Sequence, residues 1–267
     1  VKELLNSLVN PIEIVNLIKN YRIHLRALYR KLFPSKDYCK VIFGKKSVLD
    51  GFLDEIRMDI INEDLEKKLK IFRHIKGKTA RGYTYSSGVV SKRQGHIIYS
   101  IVRKKKPNLV IETGTGNGYS TSFILKALHL NNQGMLYSID YPEIEGQNYP
   151  KDNFYKDKGG AVIPKGKTSG WLVPDYLYNR LRIIIGKSQD ILPKLLRDIG
   201  SIDIFFHDSE HSYSGMIFEF EQVWPYLNEE GILLIHDINW NNAFVNFAKR
   251  VNKRPFFIDG SLGFIIK

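Results

Sequence analysis

Between Pro11 and Phe33 apolar side chains return at steps of three or four residues, Val15, Ile18, Tyr21, Leu25, Leu28 and Leu32, with Arg22, Arg26 and Arg30 between them. That spacing gathers the apolar set on one side of a helix and predicts an amphipathic one. A second helix is expected over Val48–Arg57 and a third from about Asn62 to Ile75, before the glycines and serines of Gly77 to Gly88 interrupt the pattern. After Lys104-Lys105-Lys106-Pro107 the texture changes to short apolar runs that alternate with helical patterns. Strands are expected at Leu109–Glu112, Met135–Asp140, Leu181–Ile185, Ile202–Phe206 and Gly231–His236, with helices at about 119–130, 189–199, 214–227 and 241–252. The last twelve or so residues, two apolar runs around Asp259-Gly260-Ser261, read as a hairpin. Alternation of this kind predicts an α/β fold on a mostly parallel seven-stranded sheet with a C-terminal antiparallel hairpin, preceded by an N-terminal helical region. The boundary falls near residue 90, leaving residues 1–90 as a basic helical region and residues 91–267 as one α/β domain.

Charge sharpens that division. The formal net charge is +12 over 267 residues. Residues 1–106 hold 24 Lys and Arg against 10 Asp and Glu, and the remainder is close to neutral. The excess reads either as a solvated helical face or as a surface that attracts anions, nucleic acid included. One cysteine, Cys39, excludes an internal disulfide framework and a multi-cysteine zinc site. With Glu3, Asn6, Asn10 and Glu13 interrupting the start, neither a signal-peptide core nor a membrane span is expected, and the expected compartment is the cytoplasm.

The first expected strand runs into Glu112-Thr-Gly114-Thr-Gly116-Asn-Gly118-Tyr119-Ser120. Glycines at a strand-to-helix junction allow a sharp turn and let a ligand approach the backbone. A nicotinamide or flavin fingerprint would place its third glycine where Tyr119 stands, so that class loses ground. Asp140 ends the second strand, where a carboxylate can accept hydrogen bonds from both ribose hydroxyls of an adenosine. Glu-x-Gly-x-Gly-x-Gly resembles the first motif of class I S-adenosylmethionine-dependent methyltransferases. The resemblance implies a Rossmann-like fold and a cofactor set of Glu112, Gly114, Gly116, Gly118, Tyr119, Ser120, Asp140 and Asp208, with Ser188 beside the adenine.

Two further strand ends carry chemistry, His207-Asp208-Ser209-Glu210-His211 and His236-Asp237-Ile238-Asn239-Trp240. With Gly170-Trp-Leu-Val-Pro174 and Glu219-Phe-Glu-Gln-Val-Trp-Pro225 they resemble the methyltransferase-domain family that includes macrolide-sugar O-methyltransferases and cephalosporin-biosynthesis proteins, over about residues 90–267. The resemblance implies methylation of a small hydroxylated substrate. Asp208 and His211 are the expected catalytic pair, His211 serving as base because an imidazole titrates near neutrality. Asp208, Asp237 and Asn239 are the expected ligands of a hard cation such as Mg²⁺, although the catechol-type pattern has Asn where this chain has Ile238. His207 and His236 read as satisfied histidines beside the sheet. The 40 residues from Tyr141 to Arg180 are long for a connection and are expected to cover the cofactor or the substrate. The alternatives are an RNA-directed methyltransferase, which the basic N-terminal part favours, and a non-methylating binder on the same fold. The N-terminal helices could also build a homo-oligomer interface.

Overall fold

The computed structural model describes Leu25, Ser35 and residues 37–79, 82–147 and 160–267. The helix expected over Pro11–Phe33 therefore lies outside the described residues, Leu25 apart. Helices α1 (Tyr38–Phe43), α2 (Lys46–Arg57), α3 (Ile61–Leu69) and α4 (Lys92–Lys105) lead into the alternating part. There β1 (Leu109–Thr113), α5 (Tyr119–Asn131), β2 (Met135–Asp140), β3 (Leu181–Ile185), α6 (Ser188–Ile199), β4 (Ile202–His207), α7 (Tyr213–Val223), β5 (Leu227–Ile235), α8 (Ala243–Arg250), β6 (Phe256–Phe257) and β7 (Gly263–Ile266) follow.

Helix α4 is the element that the hydrophobic pattern did not bring out. Its start is fixed by a capping box in which the Ser91 side chain accepts from the Gln94 backbone and the Gln94 side chain accepts from the Ser91 backbone. Ile97, Ile98, Ile101 and Val102 then bury one face. Both signals are present in the sequence as Ser-x-x-Gln followed by apolar residues at helical spacing.

The strands form one sheet in the order β3-β2-β1-β4-β5-β7-β6. The first five are parallel, and β7 pairs antiparallel with both β5 and β6. β5 begins at Leu227, four residues before the expected start, because an irregularity opposite Ile202–Ile204 lets the chain pair, kink at Glu230 (φ 61°) and pair again. Successive strand residues face opposite sides. Val110, Ile204 and Phe206 join the core under α4 and α5, whereas Ile111 and Phe205 join the core under α6, α7 and α8. Full burial of each such side chain contributes roughly 1.5–3 kcal/mol. Side chains of the early helices, Phe43, Ile56, Ile61 and Leu65, belong to the first of these cores. The chain reverses direction across the sheet between β1 and β4, which opens a crevice at their carboxyl ends.

A buried polar tie fastens the early helices to α4. His96 Nε2 lies 2.7 Å from Asn62 Oδ1, and Asn62 Nδ2 donates to the carbonyls of Ile56 at 2.6 Å and Asp59 at 3.0 Å. Burial, reinforced by nearby Lys92, lowers His96 from 6.5 to about 4. The folded state thus holds the neutral ring. Above 6.5 both states are neutral and the group is indifferent to pH; as pH falls from about 6.5 toward about 4 the unfolded chain takes up a proton that the folded chain refuses, and stability is lost. Urea denaturation of the wild type and of His96→Phe across that window checks this: the wild-type midpoint should fall more steeply than that of the variant.

Candidate active site

Three left-handed glycines shape the turn after β1. Gly114 has φ 92°, its N–H donates to the Ile139 carbonyl at 2.8 Å, and a Cβ there would lie 2.1 Å from the carbonyl oxygen of Asp208. Gly118 has φ 90°, and a Cβ there would lie 2.7 Å from Gly170 Cα. Gly116, at φ 48°, has nothing within 4 Å of the corresponding position, because it faces the cavity. The first and third glycines serve close packing, and the second leaves room for a ligand.

Beneath this turn Glu112 is fully buried and does not line the cavity. Its carboxyl accepts from Ser120 Oγ at 2.7 Å, Thr121 Oγ1 at 2.7 Å and Ser138 Oγ at 2.6 Å. Burial raises Glu112 to about 7 against the pull of those hydroxyls. The residue ties β1 to the start of α5 and to β2, so it sets the shape of the glycine turn from below. Glu112→Ala leaves three buried hydroxyls without their acceptor and should cost about 3 kcal/mol or more, read as a lowered urea midpoint.

The cavity above has a volume of about 290 Å³. One wall is the glycine turn with Tyr119 and Ser120; Asp140, Pro142 and Glu143 follow β2; Asp208, Ser209, His211, His236, Asp237 and Trp240 form the far end. Asp140 is buried, and its Oδ2 accepts from Ser169 Oγ at 2.5 Å. Ser188, at the first turn of α6, is buried but outside the cavity lining.

Two straps close the side of the cavity: Ser86–Val90, which sequence reasoning did not assign, and Gly160–Ile163, part of the long connection expected to cover it. They pair as a parallel bridge at Ser86 and Ala161, with Ser86 N donating to Gly160 O at 2.8 Å. Asn117 joins both to the glycine turn: its Nδ2 donates to Ser87 O at 2.8 Å and Val162 O at 3.0 Å, while its Oδ1 accepts from Trp171 Nε1 at 2.6 Å. The polar Asn between Gly116 and Gly118 was the visible signal. Part of the long connection after β2 therefore lies against the cavity, as expected; residues 148–159 of it lie outside the described residues.

At the far end each carboxylate faces an imidazole. His236 Nδ1 lies 2.8 Å from Asp208 Oδ1 and 3.6 Å from Asp237 Oδ1, and His211 Nε2 lies 3.2 Å from Asp237 Oδ2. Burial alone would lower His236, but Asp237 and Asp208 outweigh it and raise the ring to about 9. Burial holds His211 below the usual histidine range, more strongly than Asp237 lifts it. Asp237 is depressed despite its burial, because His236 and His211 flank it. Its backbone is left-handed at φ 53°, a conformation that Asp tolerates better than most residues, and this aims the carboxylate back across the strand ends. Below the cavity floor the Glu219 carboxylate accepts from Thr113 Oγ1 at 2.7 Å, Ser209 Oγ at 2.8 Å and His207 Nδ1 at 2.7 Å, which fixes the β4 end. His207 is thus bonded at Nδ1 while its buried Nε2 has no partner, so the expected satisfied histidine is met at one nitrogen only, and His236 lines the cavity.

The expected cofactor residues therefore divide. Gly114, Gly116, Gly118, Tyr119, Ser120, Asp140 and Asp208 line one cavity; Glu112 and Ser188 do not. The glycine floor open at Gly116 and the buried carboxylate of Asp140 fit a nucleoside ligand. Of the expected metal ligands, Asp208 and Asp237 converge with His211 so that one ligand atom of each lies within 4.8 Å of the others. Asn239 is buried outside the cavity lining, with Oδ1 unpartnered. The assembled set is thus two carboxylates and one imidazole, with His236 already bonded to Asp208, and it does not fit the all-oxygen shell that Mg²⁺ prefers.

Residues 111–238 match the family model described as a methyltransferase domain. No curated protein matches the chain. Among solved structures, a protein from Staphylococcus aureus described as a caffeoyl-CoA O-methyltransferase superposes with a TM-score of 0.52 at 17% identity, covering 84% of this chain and 99% of that one. A methyltransferase from Geobacter sulfurreducens gives a TM-score of 0.50 at 16% identity, with 83% and 96% covered. Cofactor-bound Rv0187 from MTB gives 0.50 at 13%, with 81% and 94% covered. At these identities the likeness is one of fold, and it agrees with the strand order β3-β2-β1-β4-β5-β7-β6. The match over residues 111–238 covers a little under half of the chain and contains the glycine turn and the Asp140 carboxylate, so this segment is similar to a methyltransferase domain.

Proposed function

We propose that the protein methylates a hydroxyl of a small molecule, with S-adenosylmethionine as the methyl donor. The observation that carries this reading is the one cavity lined by the glycine turn, Asp140 and the Asp208–His211–Asp237 group. Bound S-adenosylmethionine supplies a methyl carbon on a sulfonium sulfur. In this reading the backbone at Gly114–Gly118 receives the methionine part and Asp140 the ribose, while Tyr119 and Ser120 border the donor. Glu112 supports the turn from beneath. Ser188, outside the lining, acts on the adenine only through the shape of the β3–α6 turn.

His211 is the proposed base. Its Nε2 lies 3.2 Å from Asp237 Oδ2, and a hydrogen on Nε2 toward that carboxylate leaves the lone pair on Nδ1, a buried atom without a partner. A donor held in the cavity would supply its methyl group to the acceptor oxygen, and His211 Nδ1 would take up the proton that the hydroxyl gives up. Asp208 borders the reaction centre and orients acceptor and donor for the in-line displacement. Trp240, whose ring centroid is 5.2 Å from that of His211, supplies an apolar face for the acceptor.

We also take residues 91–267 as the cofactor-binding unit and residues 1–90 as a helical region that lends it one strap. Some basic residues of that region are paired on its own surface, as in Lys46–Asp50, Arg57–Asp54 and Lys68–Asp64, and its Glu66 and Glu55 pair with Lys92 and Arg103 of α4, which favours the solvated helical face over a nucleic-acid track. No helix among the described residues is long and apolar enough to cross a membrane. Transfer of labelled methyl from S-adenosylmethionine to a panel of sugars, phenols and other hydroxylated acceptors tests the reading. Label in an alkali-stable ether product supports it; transfer to RNA alone under the same conditions would replace it.

A further inference from the structure

His236 sits at the end of β5 with its backbone N–H bonded to His207 O at 2.9 Å, so its ring is anchored across the β4 and β5 ends. Its Nδ1 stands 2.8 Å from Asp208 Oδ1 and 3.6 Å from Asp237 Oδ1. An ionised carboxylate only accepts, so Nδ1 bears the hydrogen in the shorter contact whatever the total charge of the ring. On the other side His211 Nε2 stands 3.2 Å from Asp237 Oδ2. Asp208, His211 and Asp237 otherwise have the convergence that a divalent cation requires. A cation that bridged the two carboxylates would compete for the Asp208 oxygen that His236 holds, and it would bring positive charge against the hydrogen on Nδ1. Ile238 adds no oxygen donor, and Asn239 lies outside the lining.

We infer that His236 stands in for a divalent cation, holding Asp208 through a hydrogen bond and standing 3.6 Å from Asp237 Oδ1 as a charge partner, so that the methyl transfer proposed above needs no bound metal. The inference makes His236 a positioning residue: it spaces the two carboxylates and thereby orients His211 through Asp237.

The test titrates the protein without cofactor or acceptor, so it stands apart from any failure to transfer methyl. Calorimetric titration with MnCl₂ and with MgCl₂ is run on the wild type and on His236→Ala, and Mn²⁺ is added while the imidazole resonances of His211 are followed by NMR. The wild type is expected to show no saturable binding and no selective broadening, whereas His236→Ala, with both carboxylates released, gains Mn²⁺ affinity by about tenfold or more, equivalent to about 1.4 kcal/mol, and its His211 resonances broaden. Saturable wild-type binding with broadening of His211 and His236 overturns the inference, and so does a folded His236→Ala protein that gains no affinity. Should His236→Ala fail to fold, the wild-type titration and spectrum decide alone.

Discussion

His211→Ala is expected to lower kcat/KM for methyl transfer by about 10²- to 10⁴-fold, the span that a positioned general base commonly contributes. Affinity for S-adenosylmethionine should hold, because the proposed reading gives His211 to the acceptor and the cofactor to the glycine turn and Asp140. The variant should also remain folded: the Asn241 Nδ2 contact at 2.8 Å goes to the His211 backbone carbonyl, which the substitution leaves in place. Transfer kinetics combined with cofactor titration and a urea midpoint separate the three quantities. Unchanged turnover would remove His211 from the chemistry, and a parallel loss of cofactor affinity would move it to the donor side of the cavity. Asp237→Asn offers a graded comparison, since the amide can present its NH₂ to His211 Nε2 and favour the other tautomer. That variant should lose kcat with little change in KM.

Gly114→Ala should remove cofactor binding together with part of the fold. At φ 92° an alanine is strained, and its methyl would meet the Asp208 carbonyl oxygen at 2.1 Å, a backbone atom that cannot swing aside. Relief requires the β1 and β4 ends to separate, which disturbs the crevice itself. The combined cost is about 2–4 kcal/mol. Gly116→Ala is the informative contrast. Nothing lies within 4 Å of the new methyl, so the cost to folding is confined to the left-handed backbone, about 1 kcal/mol. The methyl nevertheless projects into the cavity, so cofactor affinity should fall while the urea midpoint moves little. Equal midpoints for the two variants would contradict the division of labour between the two glycines.

The parallel strands were legible because each is a short apolar run closed by a residue of distinct chemistry, Asp140 after β2 and His207-Asp208 after β4. Helix α4 was less so: its polar first turn and the basic run at its end mask the buried isoleucines, and the capping box at Ser91–Gln94 is the clearer mark. Local spacing could place Asp208, His211 and Asp237 at strand ends, but it could not say which imidazole meets which carboxylate. That pairing depends on the β4–β5 register, His207 opposite Ile235, and on the left-handed turn at Asp237. Glu112 illustrates a related limit. Its position in the motif pointed to a ligand contact, whereas the hydroxyls of Ser120, Thr121 and Ser138, two of them on α5 and one on β2, converge on its carboxyl only after the sheet has formed. The Ser86–Val90 strap was invisible for the same reason, since Asn117 reaches Ser87, 30 positions away in the chain.

The central claim, a methyl-donor site at the carboxyl end of β1, is tested most directly by calorimetric titration of the folded protein with S-adenosylmethionine and S-adenosylhomocysteine, repeated with Asp140→Ala. The account predicts one site of micromolar affinity, about −8 kcal/mol, for the wild type and a marked weakening in the variant. Absence of binding by protein that is folded by circular dichroism would contradict it, as would binding that Asp140→Ala leaves unchanged.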